Sequence, residues 1–257
     1  MKKWVSLLCT AMLLLSLPAC ATENEAPTVI RSFLAGYEEN IDDNGIAGRS
    51  SRVLLNLMSD GTAEIYVGVL DQGEHSTAAY TGTYTLGENE EFDETISLSY
   101  AYAEGKTAEI HDAVIVDSIF EAPFHLPQGE TPGAVRFYES APADLDGDVY
   151  LGYLTKVGGM GPMVYCYALT LREDGTFGVS IMQMASVMHV FGETSGTYTA
   201  DGERITFTYD IRTTEGDVVS AGEISEGTGF NGVQLTTAFN IEQATMRASD
   251  APFIKVK

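Results

Sequence analysis

One internal repeat constrains this chain more than any other feature. Leu169–Thr199 opens on Leu-Thr-Leu-Arg-Glu-Asp-Gly-Thr and ends on Ser-Gly-Thr-Tyr-Thr. Leu55–Thr85 opens on Leu-Asn-Leu-Met-Ser-Asp-Gly-Thr and ends on Thr-Gly-Thr-Tyr-Thr. The Asp60-Gly61-Thr62 and Gly82-Thr83-Tyr84-Thr85 landmarks therefore recur as Asp174-Gly175-Thr176 and Gly196-Thr197-Tyr198-Thr199, both shifted by 114 residues. Two landmarks kept at one spacing mean two copies of one structural unit.

The unit reads as β-structure. Val53, Leu55 and Leu57 alternate with other residues before Asp60-Gly61, and Ala63, Ile65 and Val67 alternate after it. Period-two alternation around an Asp-Gly pair is the signature of a half-buried hairpin. Ile96-Ser-Leu-Ser-Tyr100 and Ile205-Thr-Phe-Thr-Tyr209 repeat a further strand. Gly73–Ala78 reads as a turn, and Glu38–Gly48 as an acidic loop with room for a short helix. Short strands at regular spacing, without a convincing long helix, predict an all-β protein of two tandem, small, antiparallel, eight-stranded barrels. The expected division is 28–140 and 148–257, with the polar, Pro-containing segment 141–147 between them.

Ahead of the repeats, Met1-Lys2-Lys3 precedes an apolar run, Val5–Leu17, too short to span a bilayer comfortably. Residues 1–19 thus read as a signal peptide and 20–27 as a polar tether. At about 3.3–3.6 Å per residue the tether reaches only about 20–25 Å. Losing Lys2 and Lys3 leaves twelve basic residues against 37 acidic ones, a net charge of −25. That balance argues against nucleic acid and anionic lipid, which both require clustered cations. Cys9 leaves with the leader and Cys166 stands alone, so the cores must supply the stability.

Leu17-Pro18-Ala19-Cys20 resembles the lipobox of bacterial lipoproteins, and the resemblance implies that Cys20 is lipidated and becomes the mature N-terminus. Each acyl chain would contribute about 0.8 kcal/mol per buried methylene to anchoring. Cleavage at the A-x-A pattern Ala19-Cys20-Ala21 is the competing reading. The Leu-x-Leu-x-x-Asp-Gly-Thr hairpin, the Gly-Thr-Tyr-Thr strand and the Ile-x-Phe-x-Tyr strand resemble the lipocalin-like repeat domains of bacterial, especially Gram-positive, lipoproteins. That resemblance covers nearly the whole mature chain. It implies a protein on the extracytoplasmic face of the cell membrane, held there by the lipid on Cys20. Its other partners would be a small apolar ligand or an envelope protein. No cofactor is implied. The Gly-x-Trp signature of classical lipocalins is absent, since the only tryptophan is Trp4.

Hydrolase and phosphate-binding motifs are missing, so the expectation is a non-enzymatic binding or accessory protein. An open lumen would be lined by Tyr84, Tyr100, Tyr198 and Tyr209. The alternative is metal handling, or an envelope enzyme without a familiar motif. Met182, Met184 and His189 offer thioethers and an imidazole that suit Cu(I). Strand parity, however, puts Val179 and Ile181 on the core face and the methionines on the other, where an interface between barrels would use them. Cys166 falls on that outward face by the same parity. His75 and His189 occupy equivalent repeat positions, expected at a barrel rim. Asp144-Leu-Asp146-Gly-Asp148 resembles a calcium loop but lacks the distal glutamate.

Overall fold

The computed structural model describes residues 26–41, 47–89, 91–126, 133–158, 161–185, 188–212, 216–240 and 250–257. Residues 1–25, which include the expected leader, Cys20 and most of the expected tether, lie outside them. Among the described residues there is no helix. The first eight strands are β1 Val29–Ile41, β2 Ala47–Met58, β3 Thr62–Asp71, β4 Glu74–Asn89, β5 Phe92–Ala103, β6 Lys106–Ile115, β7 Ile119–Phe124 and β8 Gly133–Ser140. The next eight are β9 Asp148–Gly158, β10 Gly161–Leu171, β11 Thr176–Ala185, β12 Met188–Asp201, β13 Arg204–Arg212, β14 Val218–Thr228, β15 Gln234–Thr237 and β16 Ala251–Lys255.

Each set of eight is an antiparallel meander whose first strand also pairs with its last. β9 joins β16 and closes the second barrel, whereas the first is a curled sheet ordered β6-β5-β4-β3-β2-β1-β8-β7. Its seam lies between β6 and β7, bridged only at Val116 and Ile119. The expected turn at Gly73–Ala78 is instead confined to Gln72 and Gly73, with φ of 48° and 88°. Two consecutive residues with positive φ match the twist of the flanking strands, so pairing resumes at once and β4 begins at Glu74. The acidic segment at Glu38–Gly48 contributes strand at both ends, because β1 runs on to Ile41 and β2 starts at Ala47.

Aromatic and aliphatic side chains fill the centre of each lumen. In the first, Phe33 meets Phe120 edge to face and Phe120 stacks on Phe137, with ring centroids 5.0 and 4.7 Å apart. In the second, Phe239 stands among Phe177, Phe207, Tyr209 and Phe253. A third cluster lies between the barrels and holds Leu34, Leu54 and Tyr138 against Leu151, Cys166, Met182, Met184 and Val256. Strands β2 and β10 are therefore buried on both faces, one towards their own lumen and the other towards the neighbouring barrel.

The contacts between barrels come in matched pairs: β2 on β9 with β1 on β10, and β3 on β16 with β8 on β11. Equivalent strands meeting in this reciprocal way describe a pseudo-twofold axis, as in an isologous dimer. Strand register identifies the residues that correspond. Leu34 pairs with Leu54 as Leu151 pairs with Ala168, and Gly36 pairs with Arg52 as Tyr153 pairs with Cys166. Gly36 and Tyr153 thus share one position and meet across the axis. A Cβ at Gly36 would lie 2.1 Å from the Tyr153 ring.

Candidate functional site

The repeated landmarks assemble into a clasp at one end of each barrel. Asp60 Oδ1 accepts hydrogen bonds from Thr62 N and Oγ1, at 3.0 and 2.6 Å. Asp174 does the same with Thr176, at 2.9 and 2.6 Å. These bonds, led by the threonine hydroxyl, hold both exposed carboxyls below the usual aspartate range. Gly61 and Gly175, at φ of 84° and 80°, supply the left-handed conformation that the turn requires. Tyr84 Oη then donates to Met58 O, and Tyr198 Oη to Arg172 O, each at 2.9 Å. The tyrosine of the second landmark locks the hairpin of the first.

Tyr100 and Tyr209 do an equivalent task deeper inside. The Tyr100 hydroxyl accepts from His125 N and the Tyr209 hydroxyl from Asn240 N, both at 2.9 Å. Tyr209 also meets Ser225 Oγ at 2.9 Å. Burial pushes the Tyr100 phenol up to about 12. The four tyrosines expected to line an open lumen serve here as structural ties. Their hydroxyls are committed to backbone or side-chain atoms of the chain itself.

The methionine cluster lies in the interface. Met182 and Met184 are buried in the apolar layer between the barrels. His189 is opposite Met184 in the β11–β12 register, but its side chain lies outside the described residues. Among the described residues no group of three His, Cys, Asp or Glu side chains could hold a metal ion. Cys166 is 1% exposed in the same layer, and burial raises its thiol well above the usual range, with Arg52 acting in the opposite sense. Sequence reasoning missed Arg52, which occupies the position corresponding to Cys166. It is fully buried, lies 2.7 Å from Glu38 Oε1 and stands over the Tyr153 ring at 5.6 Å. His75, expected at a rim, lies beside the β3–β4 turn and reaches the second barrel, where its Nε2–H donates to Lys255 O at 2.9 Å.

The acidic linker is knit into the second barrel by cations of the chain. Asp144 pairs with Arg172, Asp148 with Lys255 at 2.7 Å, and Lys257 Nζ donates to Leu145 O at 2.5 Å. The Asp146 backbone N–H and then Arg172 hold the Asp144 carboxyl below its usual range. Beside this linker, on the outer face of the second barrel, is a cleft of about 310 Å3 lined by Asp144, Thr170, Arg172, Glu193, Asp210 and Arg212. Its arginines are already paired with Asp144 and Asp210.

One buried pair of polar groups has no such commitment. Gln183 follows Ile181 by two residues in β11, is 1% exposed, and faces the second lumen. Neither its amide nitrogen nor its oxygen has a hydrogen-bond partner among the described residues. The Tyr167 hydroxyl, on the same lumen, is likewise unpartnered. Each unmatched buried group costs about 1–3 kcal/mol, so the second barrel carries a penalty that the clasp tyrosines avoid. The alternation that placed Ile181 inward also places residue 183 inward, and a glutamine there was the available signal. No family model, curated protein or solved structure matches this chain.

Proposed function

We propose that this is a non-enzymatic binding protein of the bacterial cell envelope, held to the outer face of the cell membrane through a lipid on Cys20. The first barrel serves as the mount close to the membrane, and the second receives a small ligand. The observation that carries this reading is the uncommitted pair Gln183 and Tyr167, buried in a barrel whose other tyrosine ties are satisfied. The lipobox-like Leu17-Pro18-Ala19-Cys20 supports the anchor, and the short tether supports the placement near the surface. Catalysis has no comparable support, since the clustered carboxylates of the linker are neutralised by Arg172 and Lys255.

Native mass spectrometry of the mature protein from its own host tests both parts. The expected spectrum shows a chain beginning at a lipidated Cys20, with a small molecule retained. An unlipidated chain beginning at Thr22 overturns the anchor. Lipidated protein that emerges without any small molecule, and gains none from a host-cell extract, overturns the ligand role.

A further inference from the structure

We propose that the Gln183 end of the second lumen binds a small neutral molecule carrying an amide or hydroxyl group on an apolar body. The inference rests on the ligand-binding reading above and names the chemistry of that site. Strand pairing sets Leu154, Tyr165, Gln183 and Val190 side by side in one row on the lumen face. The next row holds Gly152, Tyr167, Ile181 and Gly192. Gln183 and Tyr167 are thus diagonal neighbours across β10 and β11, about 7–8 Å apart at the backbone, and one small group can meet both.

The donor set defines the ligand. A glutamine amide offers two N–H donors and a carbonyl acceptor, and a phenol both donates and accepts. Neither carries charge and no charged residue stands in either row. The exposed Asp250 carboxylate acts on the Tyr167 hydroxyl and disfavours an anion there, and a cation buried between the rows would lose its hydration. An amide or alcohol satisfies both groups. Leu154, Tyr165 and Ile181 supply apolar walls for the rest of the molecule, with the Tyr165 and Tyr167 rings parallel to within 10° and 6.4 Å apart.

The polar pair is not demanded by the fold. At the corresponding positions 114 residues earlier the first barrel has Val69 for Gln183 and Val53 for Tyr167, both fully buried. Ser51 stands at the Tyr165 position with its hydroxyl unpartnered, and Tyr37 and Ser76 complete its row. Gln183 also falls in 182–191, the segment between the shared landmarks where the two copies diverge.

Benzamide, a primary amide on an apolar ring, is the probe. It is titrated into the full mature chain, labelled with 15N, while the side-chain amide signal of Gln183 is followed. The expected result is a saturable shift of that signal with a stoichiometry of one. Gln183→Met keeps the volume and removes the amide, and it should weaken benzamide binding at least tenfold, measured by calorimetry. Tyr167→Phe should weaken it several-fold with the melting temperature unchanged or raised. No saturable shift up to the solubility limit, or equal affinity in Gln183→Met, overturns the proposal and leaves buried water as the occupant. A retained molecule in the mass spectrum alongside that failure would overturn this assignment alone and leave the broader binding reading standing.

Discussion

The two barrels share their clasps, their buried tyrosine ties and their docking faces, and they differ in closure, charge and lumen chemistry. The second is closed by hydrogen bonding around its circumference, and the first has a seam between β6 and β7. In the first, Arg31 makes a bidentate pair with Glu139 at 2.7 Å and reaches Glu94 as well. Strand register maps Arg31 onto Asp148 and Glu139 onto Lys255. The second barrel thus has the same ion pair with its charges exchanged. Such an exchange preserves attraction between the first and last strands while changing the surface around it. What the copies share is the clasp, the ion pair between first and last strands and the docking face; the lumen positions of Gln183 and Tyr167 are where they differ, since Val69 and Val53 stand there in the first barrel.

The largest expected effect comes from breaking the docking of the two. Gly36→Val drives a side chain into Tyr153 at the pseudo-axis and should cost about 3 kcal/mol in urea denaturation. In a Cys20→Ser background it should also make Cys166 reactive to a thiol reagent under native conditions. If Cys166 stays protected, the barrels are held together by something other than this contact. A smaller loss tests the exchanged ion pair. Arg31→Asp should cost about 2 kcal/mol, because it sets like charges against Glu139 and Glu94. Adding Glu139→Lys, which copies the second barrel's arrangement, should recover more than half of that loss in thermal melting. No recovery would mean that the two ion pairs are not equivalent. The smallest effect tests the shared clasp. Tyr84→Phe and Tyr198→Phe each remove one hydrogen bond, worth about 1 kcal/mol, and should lower stability equally. A large inequality would show that one clasp carries its barrel and the other does not.

The sequence made the architecture legible because its landmarks are also its structural ties. Asp-Gly-Thr and Gly-Thr-Tyr-Thr recur at one spacing since each pair must meet in space to lock a hairpin. Parity made the interface legible too, placing Cys166, Met182 and Met184 away from the lumen, where the other barrel covers them. The tyrosine roles were not legible. The partners of Tyr100 and Tyr209 are backbone N–H groups of His125 and Asn240, 25 and 31 residues away, and no local pattern announces them. Arg52 and its partner Glu38 are on different strands, so their proximity required the β1–β2 register. Gln183 was legible in principle, but two flanking methionines drew attention to the opposite face of the strand.

Strand β16 has a consequence for the order in which the molecule can be completed. Phe253 fills the second lumen, the Lys255 carbonyl receives His75 from the first barrel, and Val256 lies in the layer between them. Gly68 leaves the room for this approach, since a Cβ there would lie 2.2 Å from Lys255 O. As the chain is made, every strand of the first barrel has emerged by residue 140. Its exposed flank must then wait through more than a hundred further residues for the segment that covers it. The first barrel can assemble early, but only the arrival of β16 finishes both at once.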